Sequence, residues 1–577
     1  MKVVIIYTVV LIQLTFCISF AQEKGNPSLS ISEQGNWYKK APSSGSIGID
    51  LEGANALVKV LKVKKKPVVA VISSGADMEH EALAHALWVN SKEKLDQIDN
   101  DKNGFVDDLN GWNFISSRDG QFMESTLNEA DREWLRLKDK YADIVFDGQG
   151  YFKIENGHRK YIDAPSDVQE YQYFKGILVS QKSILGNSYA GYTFAYIFKE
   201  YVTKWDKELL AKYPGKTREQ ISVKDVEHFL ITPELKSDSL ATITATVVLM
   251  YGNMMKSYVK DSEPSWNLIY TNFLSRQIEL AKNSFENNIA KFSSDKRENI
   301  VGDSSNDIKN SQYGSNLIFT PNSTLGTLMS GIVAGREVDN SGFSGIIPDA
   351  QLMNLVVSAE NGDVYPKDLA LAIKYAVNNG ADIIMLPVQN RFYSLEQKQW
   401  IDKALRAAEK KGVLLITSVW EAAENLDNVN YYPSTILSDG KELTNLLIVG
   451  NSDKSGVPAS KSNFSADKLS MFVPSISIYG AMPGDVYKLT SSSVFSTGVA
   501  AGAATYLKAY FPKLNAVQIK KLLMDNVTKF PGIEVEKSVA KGVGGYVIDL
   551  FLFEQLCKSA GILNLKNSVE AALKKQY

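Results

Sequence analysis

Three hydroxyl residues, Ser491, Ser492 and Ser493, stand at the head of the run SSSVFSTGVAAGAATYLKAYFP, which ends at Pro512. Gly498, Val499, Ala500, Ala501, Gly502, Ala503 and Ala504 give that run the width of a thin helix. Two glycines inside a helical pattern cost about 1 kcal/mol each against alanine, and close packing is what compensates. The N-terminus of such a helix presents free N–H groups and partial positive charge, a place for a nucleophile. The residue at that tip is Val494. Ser492 and Ser493 flank it. A serine needs a base, and the four histidines, His80, His85, His158 and His228, all lie far upstream. Lys488 is the one lysine near either serine, leaving a Ser–Lys dyad as the only local alternative.

A second cluster is acidic. Asp99, Asp101, Asn103, Gly104 and Asp107 fall at the first, third, fifth, sixth and ninth places of an EF-hand-like calcium loop. The twelfth place holds Asn110, not a bidentate glutamate, and Asp108 is the residue available to compensate. Calcium held by Asp99, Asp101, Asn103, Asp107 and Asp108 and a merely solvated turn both fit this spacing.

The elements that would position these residues read as α/β. Val68–Ile72 is a β-branched apolar run ending in Ser73-Ser74-Gly75, a buried parallel strand feeding a tight turn. Strands are predicted at 352–357, 382–388, 413–418 and 446–449. Helices are predicted at 366–379, at 395–411 with a Ser394/Gln397 capping box, and at 516–525 behind Asn515. Strand–helix alternation on short connections means a parallel sheet covered on both faces. Residues 116–315 differ, with apolar residues at helical spacing in 124–141, 191–212 and 237–258 and few strand signals. This is an inserted, mostly helical module. Leu240–Met255 is too short and too threonine-rich to span a bilayer.

The 577 residues call for two or three domains, and a net charge of −2 gives no support for nucleic-acid binding. Residues 1–21 read as a secretory signal: Lys2, an apolar run from Val3, then Ser19-Phe20-Ala21. An exported protein, periplasmic or extracellular, is therefore expected, with no transmembrane span once the signal is removed. Cys17 leaves with the signal, so Cys557 remains the only cysteine and no disulfide forms. Residues 22–60 read as a polar, loop-like N-terminal extension, 61–115 and 316–560 as the two parts of the α/β domain, and 561–577 as a C-terminal tail.

Taken together, six segments resemble the subtilisin-like serine peptidases, the subtilases, in a secreted bacterial branch that carries a large insert. VVAVISSGADMEHEAL is similar to the family's V-A-V-I-D-S-G-V-D-x-x-H-P-x-L, and IDNDKNGFVDDLNGWNF to the acidic segment that follows it. LGTLMSGIVAG resembles H-G-T-H-V-A-G-I-I-A-A, and NNGADIIMLPV resembles N-G-A-x-V-I-N-M-S-F. KKGVLLITSVWEAAENLD resembles the segment of the oxyanion asparagine, and SSSVFSTGVAAGAATYLKAYFP the segment of the nucleophile, S-G-T-S-M-A-A-P. The matches run in family order across 36–115 and 316–530.

The resemblance implies a subtilisin-like doubly wound fold, and it implies that the chemistry is gone. Hydrolysis in this family uses an Asp–His–Ser triad with an asparagine beside the oxyanion. Ser73 stands at the Asp position, Leu325 at the His position, Val494 at the Ser position and Glu421 at the Asn position. Trp420 fills the neighbouring glycine position, and Pro387 and Gln389 replace the serine and glycine of the substrate-binding strand. The expectation is a pseudo-peptidase, binding a peptide or protein in the former cleft or presenting the insert to a partner. The alternative is a serine endopeptidase with a non-standard site.

Overall fold

The computed structural model describes residues 31–575 except 156–157, 179, 181–182, 231–237, 257–263, 293–295, 340 and 542–544. The expected signal, residues 1–21, lies outside them. The chain divides into two compact units, one built on Leu127–Asp295 and one on the sequence either side of it.

The larger unit begins with α1 (Ile31–Gly35), α2 (Leu51–Val58), β1 (Val68–Ser73) and β2 (Gly111–Asn113). The helical unit follows: α3 (Glu129–Tyr141), a small antiparallel sheet of β3 (Val145–Phe146), β4 (Tyr151–Glu155) and β5 (His158–Ile162), then α4 (Val168–Leu178), α5 (Ile184–Lys212), α6 (Val223–Leu230), α7 (Ser239–Lys256) and α8 (Leu274–Phe292). The larger unit then resumes with α9 (Arg297–Ile300), α10 (Thr324–Ala334), β6 (Gln351–Val356), α11 (Pro366–Asn378), β7 (Ile383–Met385), α12 (Leu395–Lys411), β8 (Leu414–Ser418) and β9 (Leu446–Ser452). It closes with β10 (Met471–Pro474), a hairpin of β11 (Ile478–Met482) and β12 (Val486–Thr490), α13 (Phe495–Tyr510), α14 (Ala516–Asp525), β13 (Thr528–Lys529), a second hairpin of β14 (Glu534–Lys541) and β15 (Gly545–Leu552), β16 (Gly561–Ile562) and α15 (Leu565–Lys574).

Nine strands form the central sheet in the order β13-β16-β10-β9-β8-β7-β1-β6-β2. All of its pairings are parallel but one, since β13 runs antiparallel to β16. The fold is therefore α/β and doubly wound, and the sheet order reverses around β1. Val69 and Val71 of that strand enter one core, with α10 and α13, while Ala70 and Ile72 enter the other, with α11 and α12. Burial on both faces explains why the strand reads as unbroken apolar sequence.

Several expected boundaries move. The described part of the expected extension, residues 31–60, is not loop-like: Trp37, Tyr38, Ile49, Leu51, Ala54 and Val58 are buried in the α10/α13 core. The Trp37 indole N–H also donates to the carbonyls of Ile476 and Ser477, each at 3.1 Å. The expected C-terminal tail is integrated over residues 561–575: β16 joins the main sheet and α15 packs on α2 through buried Leu565, Val569 and Ala572. The flanks 116–126 and 296–315 sit in the larger unit, where Met123, Val301 and Tyr313 join the α11/α12 core. The helical unit also holds the β3–β4–β5 sheet, short strands whose polar alternation gives a weak signal.

Where the chain returns from the helical unit, a buried ion cluster anchors it. The Arg297 guanidinium donates to Asp303 (2.9 Å) and to both carboxylate oxygens of Asp368 (2.7 and 2.8 Å). Lys367 donates to Asp303 and Tyr313 donates its hydroxyl to Asp368 at 2.6 Å. Arg297, Lys367 and both aspartates are essentially inaccessible. Removing one partner of such a group strands a buried charge and costs about 3–5 kcal/mol. Arg297→Met is expected to lower stability by that amount, visible as a drop of several degrees in calorimetric unfolding. An unchanged transition would show that Asp368 is held adequately by Tyr313 alone.

Candidate functional site

The reversal of strand order puts the C-terminal end of β1 where doubly wound folds place their sites. Ser73 is the last residue of that strand and is buried; its hydroxyl oxygen accepts the Gly75 N–H at 3.2 Å. Gly75 has φ +104°, a left-handed turn that favours glycine. Gly326 of α10 rests directly on this turn: a Cβ there would lie 2.0 Å from the Gly75 carbonyl oxygen and 2.6 Å from Ser73 Oγ. The preceding segment wraps the strand end, with Thr320 Oγ1 donating to the Ser74 carbonyl (2.6 Å) and Ser74 Oγ to that of Asn322 (2.7 Å). Leu325 sits beside Gly326 with 39% of its surface exposed. Leu317 and Phe319, on the same segment, are 48% and 55% exposed.

The spine helix α13 starts one residue after Val494, which is half-buried against the core. Gly498 faces Ile332 of α10, and a Cβ at Gly502 would lie 2.6 Å from Ile346 Cδ1. Its first turn is closed internally: Ser496 Oγ donates to the Ser493 carbonyl at 2.8 Å, and Phe495 is fully buried. Among the described residues no hydrogen bond joins Ser492 or Ser493 to a histidine, and Lys488 lies exposed on β12. His80 is buried with its ring edge on Tyr487 (5.2 Å), and its Nδ1 accepts the Ala82 N–H. His85 Nε2 is 3.1 Å from the Pro348 carbonyl oxygen, and His228 Nδ1 is 2.7 Å from that of Lys224. The His158 side chain lies outside the described residues.

Glu421 follows β8, and its Oε1 accepts an N–H from buried Asn451 at 3.0 Å. Desolvation raises the Glu421 carboxyl pKa, while Lys537 and Lys461 pull it back down. The Trp420 indole N–H donates to the Gln389 carbonyl, and the Gln389 side-chain amide donates to Pro433 at 2.6 Å. Asn390 and Tyr432 exchange backbone hydrogen bonds of 2.7 and 2.6 Å. The strand edge after β7 is thus covered by the protein's own side chains and backbone. Phe495, by contrast, plugs nothing, since it belongs to the core. A half-open pocket of about 280 Å³ remains beside this edge, lined in part by Gln389, Leu426, Tyr431, Tyr432, Ile436 and Lys468.

The β14/β15 hairpin closes the other side of the Glu421 loop, with Ala540 N–H donating to the Ala423 carbonyl at 2.7 Å. It brings Lys537, fully buried, into hydrogen bonds with the carbonyls of Ala459 and Ser462. Nothing in the local sequence of this lysine marked it.

The acidic loop is arranged differently from its spacing. Asp99 turns to the N–H groups of Asn103 (3.0 Å) and Gly104 (2.8 Å), and Asp107 to those of Asp96 and Gln97 (both 3.0 Å). Asn103 donates its amide to Asp108 at 2.8 Å. Asp101 and Asp108 instead meet Glu93, a residue outside the EF-hand-like register, with oxygens of all three within 4.8 Å of one another. Of the five residues expected as ligands, Asp101 and Asp108 converge with Glu93, whereas Asp99 and Asp107 accept backbone N–H groups of their own turns. Burial pushes the Asp108 carboxyl up to about 6.

The Subtilase family profile matches residues 64–544. The chain belongs to the subtilase family. Subtilisin DY of Bacillus licheniformis is 24% identical over 204 residues, 35% of this chain and 70% of that protein. The alkaline protease of Alkalihalobacillus alcalophilus is 26% identical over 203 residues, 35% of this chain and 49% of that one. Among solved structures, the prenylagaramide maturation protease PagA aligns at 25% identity with a TM-score of 0.34, covering 43% of this chain and 81% of its own.

Burial holds the Lys537 ammonium pKa down to about 7 from an ordinary 10.5, with Glu421 acting against that fall. Between those values the unfolded chain carries a proton that the folded chain lacks, so this residue makes stability rise with pH from 7 towards 10.5. In Lys537→Met that contribution is absent. Relative to wild type, the variant's stability is expected to fall by about 1 kcal/mol per pH unit across pH 7–10, read by thermal unfolding of both proteins in one buffer series. A pH-independent difference would mean that Lys537 stays charged in the fold.

Proposed function

We propose that this protein is a non-catalytic subtilase, exported, which has exchanged peptide hydrolysis for recognition. The observation that carries the reading is the set of residues at the end of β1, on α10 and at the head of α13. Aligned with the family motifs, the positions of acid, base and nucleophile are Ser73, Leu325 and Val494, and none of these side chains can take a proton from another or attack a carbonyl at neutral pH. The described histidines are engaged elsewhere. Glu421, at the position of the oxyanion donor, would set a negative charge against a developing one. These losses leave the scaffold intact, because the glycines at 75, 326, 498 and 502 serve turns and packing.

What replaces the chemistry is apolar surface. Leu317, Phe319 and Leu325 expose about half or somewhat less of their area on the segment around the β1 end, the kind of patch that holds an apolar stretch of a polypeptide partner. A substrate strand would not lie in the family's usual edge beside Gln389, since that edge is occupied from within. Export rests on Lys2 and the apolar run from Val3.

Fluorophosphonate labelling of the purified protein, with an active subtilase alongside and peptide mapping of any adduct, tests the reading. No adduct is expected on this chain under conditions that label the control fully. A stoichiometric adduct at Ser492 or Ser493, lost on replacing that serine by alanine, would restore a serine endopeptidase with a shifted nucleophile.

A further inference from the structure

We propose that the β14/β15 hairpin is a self-association surface, through which two copies of this chain pair β15 edge to edge about a two-fold axis. The hairpin is held from one side only. The outer edge of β14 is docked on the body, with the Ser538 N–H donating to the Ser460 carbonyl (3.0 Å) and the Ala540 N–H to that of Ala423 (2.7 Å). One face is docked as well: Val535 and Lys537 are buried, and Val539 and Phe551 pack against the α11/α12 core. The far edge of β15 pairs with nothing among the described residues.

That edge is unguarded. β15 runs for eight residues in unbroken register with β14, without a bulge, a proline or a lysine, the devices that keep an edge strand from pairing. The main sheet, by contrast, ends in strands of two and three residues, β13 and β2. The register sets Leu552, Leu550, Ile548 and Tyr546 on the outer face, opposite Glu534, Glu536, Ser538 and Ala540. Ile548 is 71% exposed, Leu550 62% and Tyr546 49%. An apolar stripe therefore runs beside the open edge, on a face where a solvated sheet would carry polar residues.

The occupant is a second copy because the stripe complements itself. Antiparallel strands place opposing residues on the same face, where they interact in pairs. With Ile548 opposite its own copy on the axis, Tyr546 meets Leu550 and Val547 meets Asp549. The one charge of β15 then faces an apolar side chain, whereas centring the pair on Asp549 would set two carboxylates side by side. Charge at the two ends agrees. Lys461 lies over the Tyr546 ring (5.0 Å), while Glu534 and Glu536 stand opposite Leu552 and Leu550. A two-fold axis brings the basic end of each copy alongside the acidic end of the other. The product is a four-stranded antiparallel sheet, β14-β15-β15-β14, with an apolar band across its two central strands. Such a contact is isologous and closes at two copies. Two strands of this length bury an area at the small end of specific interfaces, so the dimer should dissociate on dilution.

Light scattering and sedimentation velocity of the purified protein over a dilution series test the proposal. A dimer in equilibrium with monomer is expected. Ile548→Lys should raise the dissociation constant at least tenfold and leave the melting temperature of the monomer unchanged, because this side chain is mostly in solvent. Leu550→Lys serves as the second variant should the first not fold. Ile548→Cys should be joined into a covalent dimer by a short bismaleimide, whereas the unaltered chain, whose Cys557 is buried, should not. A wild-type chain that stays monomeric at every concentration would leave the stripe to a different polypeptide and overturn the proposal. So would a dimer that neither lysine variant weakens, since the copies would then meet elsewhere.

Discussion

Close approach of α13 to the centre of the sheet is the constraint on which the larger unit depends. A helix of Gly, Ala and Val carries so little side chain that it packs against β7, β8, β9 and β10 while lying alongside α10. At Gly502 even a methyl group would collide with Ile346, and at Gly326 with the backbone of the β1 turn. Packing density of this kind is intolerant of added volume. It fixes α13 alongside α10, whose Gly326 rests on the turn at the end of β1. The packing that holds α13 in place rests on Gly498 and Gly502 and not on the residues at its head.

Buried charge is the second constraint, and it works at the joints. Arg297 and Lys367 between Asp303 and Asp368 hold the chain where it leaves the helical unit, fully hydrogen-bonded and closed to water. Lys537 does a related task between the hairpin and the loop after β9, using the carbonyl oxygens of Ala459 and Ser462 in place of carboxylates. The first arrangement is balanced in charge and the second is not, which is why the Lys537 ammonium is driven towards its neutral form. The acidic loop shows the opposite imbalance, three carboxylates with no internal cation. In each case desolvation sets the stakes and the neighbouring groups decide the outcome.

The face at the C-terminal end of β1 follows from the first constraint, with Gly326 resting on the Gly75 turn beside Ser73. Trp420 and Gln389 spend their hydrogen bonds on the protein itself. Leu317, Phe319 and Leu325 leave apolar area exposed near the β1 end, the kind of surface that suits a partner in the proposed reading.

The sequence alone determined the parallel strand ending at Ser73, the thin helix after Val494, the α/β rhythm and the helical module, because each rests on periodicity or on glycine spacing within one short segment. Motif order also supplies the proposed assignment of Ser73, Leu325, Val494 and Glu421 without coordinates. Tertiary structure decided the rest. Residues 22–60 read as polar and loop-like and 561–577 as an amphipathic tail, and α2 and α15 within them bury against each other and the α10/α13 core. Glu93 was invisible because metal-loop spacing counts along the chain, whereas carboxylates converge through space, and Asp99 and Asp107 were claimed by backbone amides in their own turns. Lys537 met the Glu421 loop only through a hairpin more than a hundred residues downstream. Local pattern fixes elements; charge compensation is settled only when distant segments pack and exclude water.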